Sequence, residues 1–291
     1  KTMDRNNVML FILVVLCVVF TIGSGKRNTG VSLATNDAKK FLAKYKYFNE
    51  TVAKAALQGG EVPAGIMAEA IRKFQVMVNL DVTGVLDLET VYTMNQPRCG
   101  VADLPEDGDL DSDIAGNIWH KRLLTWTVSA YSQTSSLTEY QQRKAIERGL
   151  DIWARKIPLR FQYRTQGPAD LNFKFVVGHH GDGLPFDGFC EDCHPGNALA
   201  HAFPPTDSRI HFDDEETWLL GRDAHLRGTD LYIVAAHEIG HALGLKHSSL
   251  PGTLMYPYYK YTSNLQLHQN DIDRIQYLYG KPLSVQKFFY K

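Results

Sequence analysis

His237-Glu238-Ile239-Gly240-His241-Ala242-Leu243-Gly244-Leu245-Lys246-His247-Ser248 is the stretch that decides how this chain is read. Residues four apart on an α-helix share a face, so His237 and His241 point the same way and can grip one ion. Glu238 beside them is placed to reach a water rather than the ion itself. Gly244 can take a left-handed conformation that ends the helix and turns the chain back, which brings His247 in as a third ligand. Three protein ligands leave a fourth tetrahedral position open, the mark of a catalytic rather than a structural zinc site. Chance two-histidine matches occur; the glycine and the third histidine make this one far more specific.

Met255, in Leu254-Met255-Tyr256-Pro257, follows the third histidine by a short loop. Alone it would be ordinary core filling. In this position it resembles the Met-turn of the metzincin proteases, and Ser248 directly after His247 is similar to their matrixin branch. From about Asp37 to Gly280 the chain resembles a matrix metalloproteinase. The Gly183–Asp187 segment and the short loop before His211 are similar to the epilysin-like subgroup.

The 291 residues carry a formal net charge of -1, which gives no footprint for nucleic acid. Val8 to Ile22 is apolar but shorter than the roughly twenty residues of a spanning helix. With Arg5 before it and Gly23-Ser24-Gly25 after, it reads as a secretory signal peptide over 1–25, with an uncleaved anchor as the alternative, and no stable membrane span is expected. Helical spacing runs from Asp37 to Phe48 (Phe41, Tyr45 and Phe48 on one side), from Ile66 to Val78 and from Leu86 to Tyr92. The acidic, apolar-poor stretch Asp103 to Asp113 reads as a linker. Beyond it, Leu124-Trp126-Val128 alternates as a strand, and Thr138 with Gln141 makes a capping box for a helix to about Lys156. Arg160–Arg164 and Leu171–Val177 are further strands, Thr229 is the expected cap of the histidine helix, and a last helix spans about Asn270 to Tyr279. The expected class is α/β (α+β): a metzincin zinc-protease domain with a mixed twisted sheet and three helices over 113–280, preceded by a small three-helix propeptide over 26–112. The tail 281–291 follows, with no haemopexin repeats; a minimal-domain form and a shortened chain both fit.

Pro97-Arg98-Cys99-Gly100-Val101-Ala102-Asp103 resembles the cysteine switch of matrixin zymogens. A coordinated thiol is deprotonated outright, so Cys99 in the fourth zinc position would exclude water. By resemblance Arg98 pairs with Asp103 and holds the loop. Ala102 stands where the family usually has proline. With no R-x-K/R-R run between Cys99 and Trp126, cleavage by another protease is expected within 109–117.

The resemblance also implies a structural zinc held by His180, Asp182, His201 and His211, hence two Zn2+ per chain, and a Ca2+ held by Asp187, Asp213 and Glu216. Asp170 aligns with a ligand of another calcium site, whose partner loop is shortened here. Cys190-Glu191-Asp192-Cys193 lies in an extra piece between Asp187 and His201. A local disulfide, a redox pair and a metal patch with His194 are its three readings.

These features imply a secreted zinc endopeptidase acting on extracellular matrix proteins. Leu199 and Ala200 would offer backbone to an extended substrate. Ile233, Pro257 and Tyr259 would wall a pocket for an apolar P1′ side chain. An activating protease and tissue-inhibitor proteins are the other implied partners. The alternative is a secreted, zinc-stabilised binding module without catalysis; intact Glu238 is the residue that separates the two.

Overall fold

The computed structural model describes residues 29–104, 117–186, 197–207, 209–221 and 228–282. The signal-peptide stretch, most of the expected cleavage stretch, Asp187, the Cys190/Cys193 pair with His194, and residues 283–291 of the tail lie outside the described residues.

Among the described residues, four helices form the N-terminal unit: α1 (Thr29–Lys44), α2 (Glu50–Leu57), α3 (Ala64–Met77) and α4 (Leu88–Met94). Three were expected. The additional one, α2, starts at Asn49, whose side chain accepts from Val52 N, a standard use of asparagine as a helix cap. It spans only eight residues, mostly small apolar ones, with Ala56 buried and Val52 and Ala53 half-buried on the core, so its stripe is short and weak. α1 ends at Lys44 rather than Phe48. Tyr45 and Tyr47 therefore lie in the turn that follows, where Lys46 takes a positive φ of 65°. The core of this unit joins Phe41, Leu42, Tyr45, Tyr47, Ile71, Phe74 and Met94, with Phe41 and Tyr47 both edge-on to Phe74. Gln75 is fully buried and ties α3 to α4 and the loop between them. Its amide donates to Thr83 Oγ1, Val85 O and Thr90 Oγ1, and accepts from Gly84 N.

The second unit is built on strands β2 (Leu123–Ala130), β3 (Arg160–Tyr163), β4 (Leu171–Val176), β5 (Ala198–Ala202) and β6 (Arg209–Asp213), with short strands β7 (Trp218–Leu219) and β8 (Thr229–Asp230) paired apart. A two-residue strand from the N-terminal unit, β1 (Arg98–Cys99), completes the main sheet in the order β1-β5-β6-β4-β2-β3. Only β5 and β6 are antiparallel; the other pairs are parallel, so the sheet is mixed as expected. Helices α5 (Glu139–Ala154), α6 (Leu231–Ala242) and α7 (Gln269–Tyr279) complete the unit. The capping box of Thr138 and Gln141 is present at α5. Buried residues alternate along β2 and β4, and Leu124, Trp126, Phe173, Phe212, Trp153 and Ile239 share one core.

α5 and α6 pack closely because Gly149 has no side chain: a Cβ there would come within 3.0 Å of Ile239 Cδ1 and 3.1 Å of Ala236 N. Trp153 Nε1 donates to Ala236 O at 2.8 Å, which locks the two helices in register. The cap of α6 is Asp230, not Thr229. The Asp230 carboxylate accepts from Ile233 N, while Thr229 is paired with Trp218 in the small sheet. Asp170 lies just before β4. Its carboxylate accepts from Thr125 N and Oγ1 and pairs with Lys121, so its oxygens serve to anchor the start of β2. Among the described residues, no helix is long and apolar enough to cross a membrane.

Replacing Gln75 by Ala removes a hub of hydrogen bonds and leaves buried groups unpaired, at an expected cost of about 1–3 kcal/mol. Hydrogen exchange of the intact chain should speed up over residues 64–94 and stay unchanged over 117–280. Acceleration in both units would contradict the separate cores.

Candidate active site and metal clusters

α6 carries His237, Glu238 and His241 into the space beneath β5. Its last turn closes on Gly244, whose φ is 99°; Gly244 N donates to His241 O and Leu245 N to Gly240 O. A Cβ on Gly244 would lie 2.7 Å from Asn117 O, so glycine is required there by contact as well as by conformation. The reversed chain delivers His247, and Met255 sits under the histidines. A Cβ on Gly240 would overlap Met255 Sδ and come within 3.0 Å of Trp153. Gly240 is therefore what lets the methionine approach, a role the sequence reading did not assign.

Two residues of α7 hold this loop and were also missed. Asp271, fully buried, accepts from Leu254 N, Met255 N and His268 N. Arg274 donates to Lys246 O at 2.9 Å and His247 O at 3.4 Å. The signal was the placement of Asp271 at the third position after the His268 cap, where a carboxylate closes a capping box.

Cys99, His237, His241 and His247 are all buried and bring one ligand atom each within 4.8 Å of one another. His237 Nε2 is 3.1 Å from His241 Nε2, and Cys99 Sγ is 3.5 Å from His241 Nε2. A tetrahedral shell with Zn–N near 2.0–2.1 Å and Zn–S near 2.3 Å sets ligand atoms about 3.3–3.6 Å apart, so these separations suit that ion. His237 Nδ1 donates to Leu254 O and His241 Nδ1 to Leu245 O, each at 2.7 Å. That fixes the tautomers that leave Nε2 free as a ligand. His247 Nε2 is buried without a hydrogen-bond partner, a costly arrangement unless a metal takes the lone pair. Burial lowers all three imidazoles, His237 to about 3, which keeps them neutral and ready to ligate. Burial and the Glu238 carboxylate push the Cys99 thiol well up, so a thiolate at this place requires a cation. Burial also raises Glu238, to about 8.

The segment carrying Cys99 enters as main chain. Arg98 N donates to Asn197 O, Gly100 N to Ala200 O, and Cys99 N to Pro257 O, while Tyr259 N donates to Pro97 O. The peptide thus fills the gap between β5 and the 257–259 wall. Arg98, fully buried, pairs with Asp103 at 2.5 Å. Its guanidinium lies 3.5 Å from the centroid of Tyr45 and 5.0 Å from that of Tyr258, a cation held between rings of the two units. Tyr47 donates to Asp103 Oδ2 at 2.7 Å, and Tyr256 donates to Val78 O. None of these contacts was visible from sequence, because they are long-range; Tyr45 read only as a helical stripe residue.

A cavity of about 710 Å³ adjoins the histidines. Leu199, Ile233, His237, Glu238, Pro257 and Tyr259 contribute to its walls. Ala200 is absent from that lining; it meets the Cys99 segment through its carbonyl.

A second cluster joins His180, Asp182, His201 and His211. One oxygen of Asp182 lies 2.7–2.8 Å from a nitrogen of each imidazole; its other oxygen accepts from Leu184 N. The nitrogens of His201 and His211 are 3.2 Å apart. Burial lowers His201 to about 4, and Phe186 stacks on His180. Three imidazoles and a carboxylate form a closed four-donor shell, the structural type of zinc site. Of the expected calcium ligands, Asp213 and Glu216 are both buried, and Asn197 Nδ2 donates to Glu216 Oε1 at 3.3 Å.

Metal analysis of the intact chain should return two zinc ions. Asp182→Ala should lower the count to one while leaving the histidine-thiol site filled. Loss of both ions would show that the two clusters do not bind independently.

Comparison with known proteins agrees with this geometry. A family model described as Peptidase_M10, Matrixin, matches residues 118–280. The chain is similar to stromelysin-1 of Mus musculus, 35% identical with 94% of this chain and 55% of that protein covered. It is 38% identical to stromelysin-2 of Rattus norvegicus over 93% of this chain and 55% of that protein. To interstitial collagenase of Sus scrofa it is 41% identical over 75% and 44%. The chain thus spans about half the length of the curated relatives it matches. Two buried histidines on α6 and a third just after it, a Met255 turn that follows and these matches have one conclusion: the chain belongs to the matrixin family.

Proposed function

We propose that this chain is the latent form of a secreted zinc-dependent endopeptidase that cuts extracellular matrix proteins. The observation that carries the reading is Cys99 Sγ within the ring of three imidazoles, on a strand laid along the edge of β5. A thiol there blocks water, and a peptide there blocks substrate. Latency then ends when a protease cuts within 109–117 and the N-terminal unit departs. The apolar leader supports secretion, and tissue-inhibitor proteins are further expected partners.

Bound zinc supplies a Lewis acid that polarises a carbonyl and acidifies water. Glu238 takes a proton from the attacking water and passes it to the leaving nitrogen. The main chain of Leu199 and Ala200 aligns an extended substrate by strand addition, using the groups now satisfied by Arg98–Gly100. Ile233, Pro257 and Tyr259 accept an apolar P1′ side chain in the neighbouring cavity. Calcium at Asp187, Asp213 and Glu216 would tie the loop after β6 with hard oxygen donors. The zinc of the second cluster would pin the loop after β4 to the sheet. The non-catalytic alternative lacks a specific observation in its favour: a binding module has no use for a buried carboxylate beside the histidines.

Three outcomes test the reading. Cys99→Ser should process itself without an added protease, whereas complete latency would contradict the switch. In the processed enzyme, Glu238→Ala should lower kcat/KM on a quenched peptide by about 10²–10⁴-fold; unchanged hydrolysis would contradict the proton role. Tyr45→Leu removes a ring from Arg98, an interaction worth about 0.5–2 kcal/mol, and should speed activation while leaving the processed enzyme unaltered.

A further inference from the structure

The three imidazoles of the α6 site differ in what holds their outer ring nitrogen. His237 and His241 each donate Nδ1 to a carbonyl of their own unit, Leu254 O and Leu245 O. His247 donates Nδ1 to Asp103 Oδ1 at 2.8 Å. The partner of the third ligand is thus a carboxylate from the N-terminal segment, and both side chains are fully buried. Arg274 holds the main chain at His247, but the ring itself is oriented across the boundary between the two units. Asp103 is well fixed for this. The same Oδ1 takes the Arg98 guanidinium and Oδ2 takes the Tyr47 hydroxyl.

A carboxylate behind a ligating imidazole fixes its ring and raises its basicity, and loss of such a partner costs roughly 10–100-fold in metal affinity. A charged acceptor also makes a stronger hydrogen bond than a carbonyl. We propose that Asp103 is a positioning residue for the catalytic metal: it strengthens His247 as a ligand while the N-terminal unit is in place, and that support leaves with the unit. The chain then holds zinc more tightly before processing than after it, for two separable reasons, the Cys99 thiol and the Asp103 carboxylate. Departure of the segment both opens a coordination position and loosens the ring that remains. This rests on the reading of His237, His241 and His247 as a zinc site.

The test uses the intact chain with Cys99→Ser and Glu238→Ala, which removes the thiol and prevents self-cleavage. Zinc release to a coloured chelator is followed, and His241→Ala identifies the phase that belongs to this site. Adding Asp103→Asn should weaken zinc binding there by about 10–100-fold. Adding Tyr47→Phe, which frees Asp103 from one neighbour but leaves its carboxylate against His247, should change it little. Unchanged affinity with Asp103→Asn, or an equal loss with Tyr47→Phe, overturns the proposal, since the second result makes Asp103 only an anchor of its segment. A background protein that never binds zinc at this site overturns the proposal together with the reading beneath it. Retained zinc at the second cluster would show in that case that the chain had folded.

Discussion

The structure depends on a buried demand for positive charge where two separately cored units meet. Three imidazoles that burial keeps neutral and a thiol that burial keeps protonated surround one point. In a low-dielectric setting such groups repay their desolvation only by sharing a cation. Everything near the point is arranged around that sharing. Gly244 turns His247 inward, Gly240 admits Met255, and Asp271 and Arg274 tie the returning loop to α7. The N-terminal unit adds the fourth donor. Its attachment is local and dense: Arg98 between two tyrosine rings, Asp103 on Tyr47 and His247, and four main-chain hydrogen bonds along β5 and the 257–259 wall.

In the proposed reading, this arrangement lets one short peptide control both chemistry and access. The 97–100 segment uses the main-chain groups that an extended ligand would use, so relief of one block is relief of the other. The second cluster is physically separate. It lies on β5, β6 and the loop after β4, its four donors face one another, and all four positions of its shell come from the same unit. One centre is therefore completed by a residue of the N-terminal unit and the other is not.

Much of this was legible in the sequence, for reasons that can be named. The histidine helix announces itself because its ligands are local and helical periodicity places them. The Cys99 motif, the second set of ligands and the fold class came through family resemblance, and the structure brings those two ligand sets together. What stayed hidden depends on distant contacts. Tyr45 read as a helical stripe residue and is instead the platform under Arg98, because α1 stops one residue earlier. Thr229 looked like a cap by residue type, yet Asp230, one residue on, has the geometry. Asp170 is taken up by Thr125 and Lys121, which no local pattern could reveal. The helix α2 stayed hidden because it is short and buries only one residue, Ala56, fully. Gly240 and Arg274 act through packing against partners in other elements, and only coordinates expose them.

The most direct test of the account is zinc-edge X-ray absorption on the intact, unprocessed chain. Ligation by Cys99 places a sulfur scatterer near 2.3 Å in the first shell of one zinc of two, with nitrogen and oxygen alone around the other. A first shell devoid of sulfur in the unprocessed protein would contradict it, because Cys99 would then lie beside the histidines without holding the ion they share.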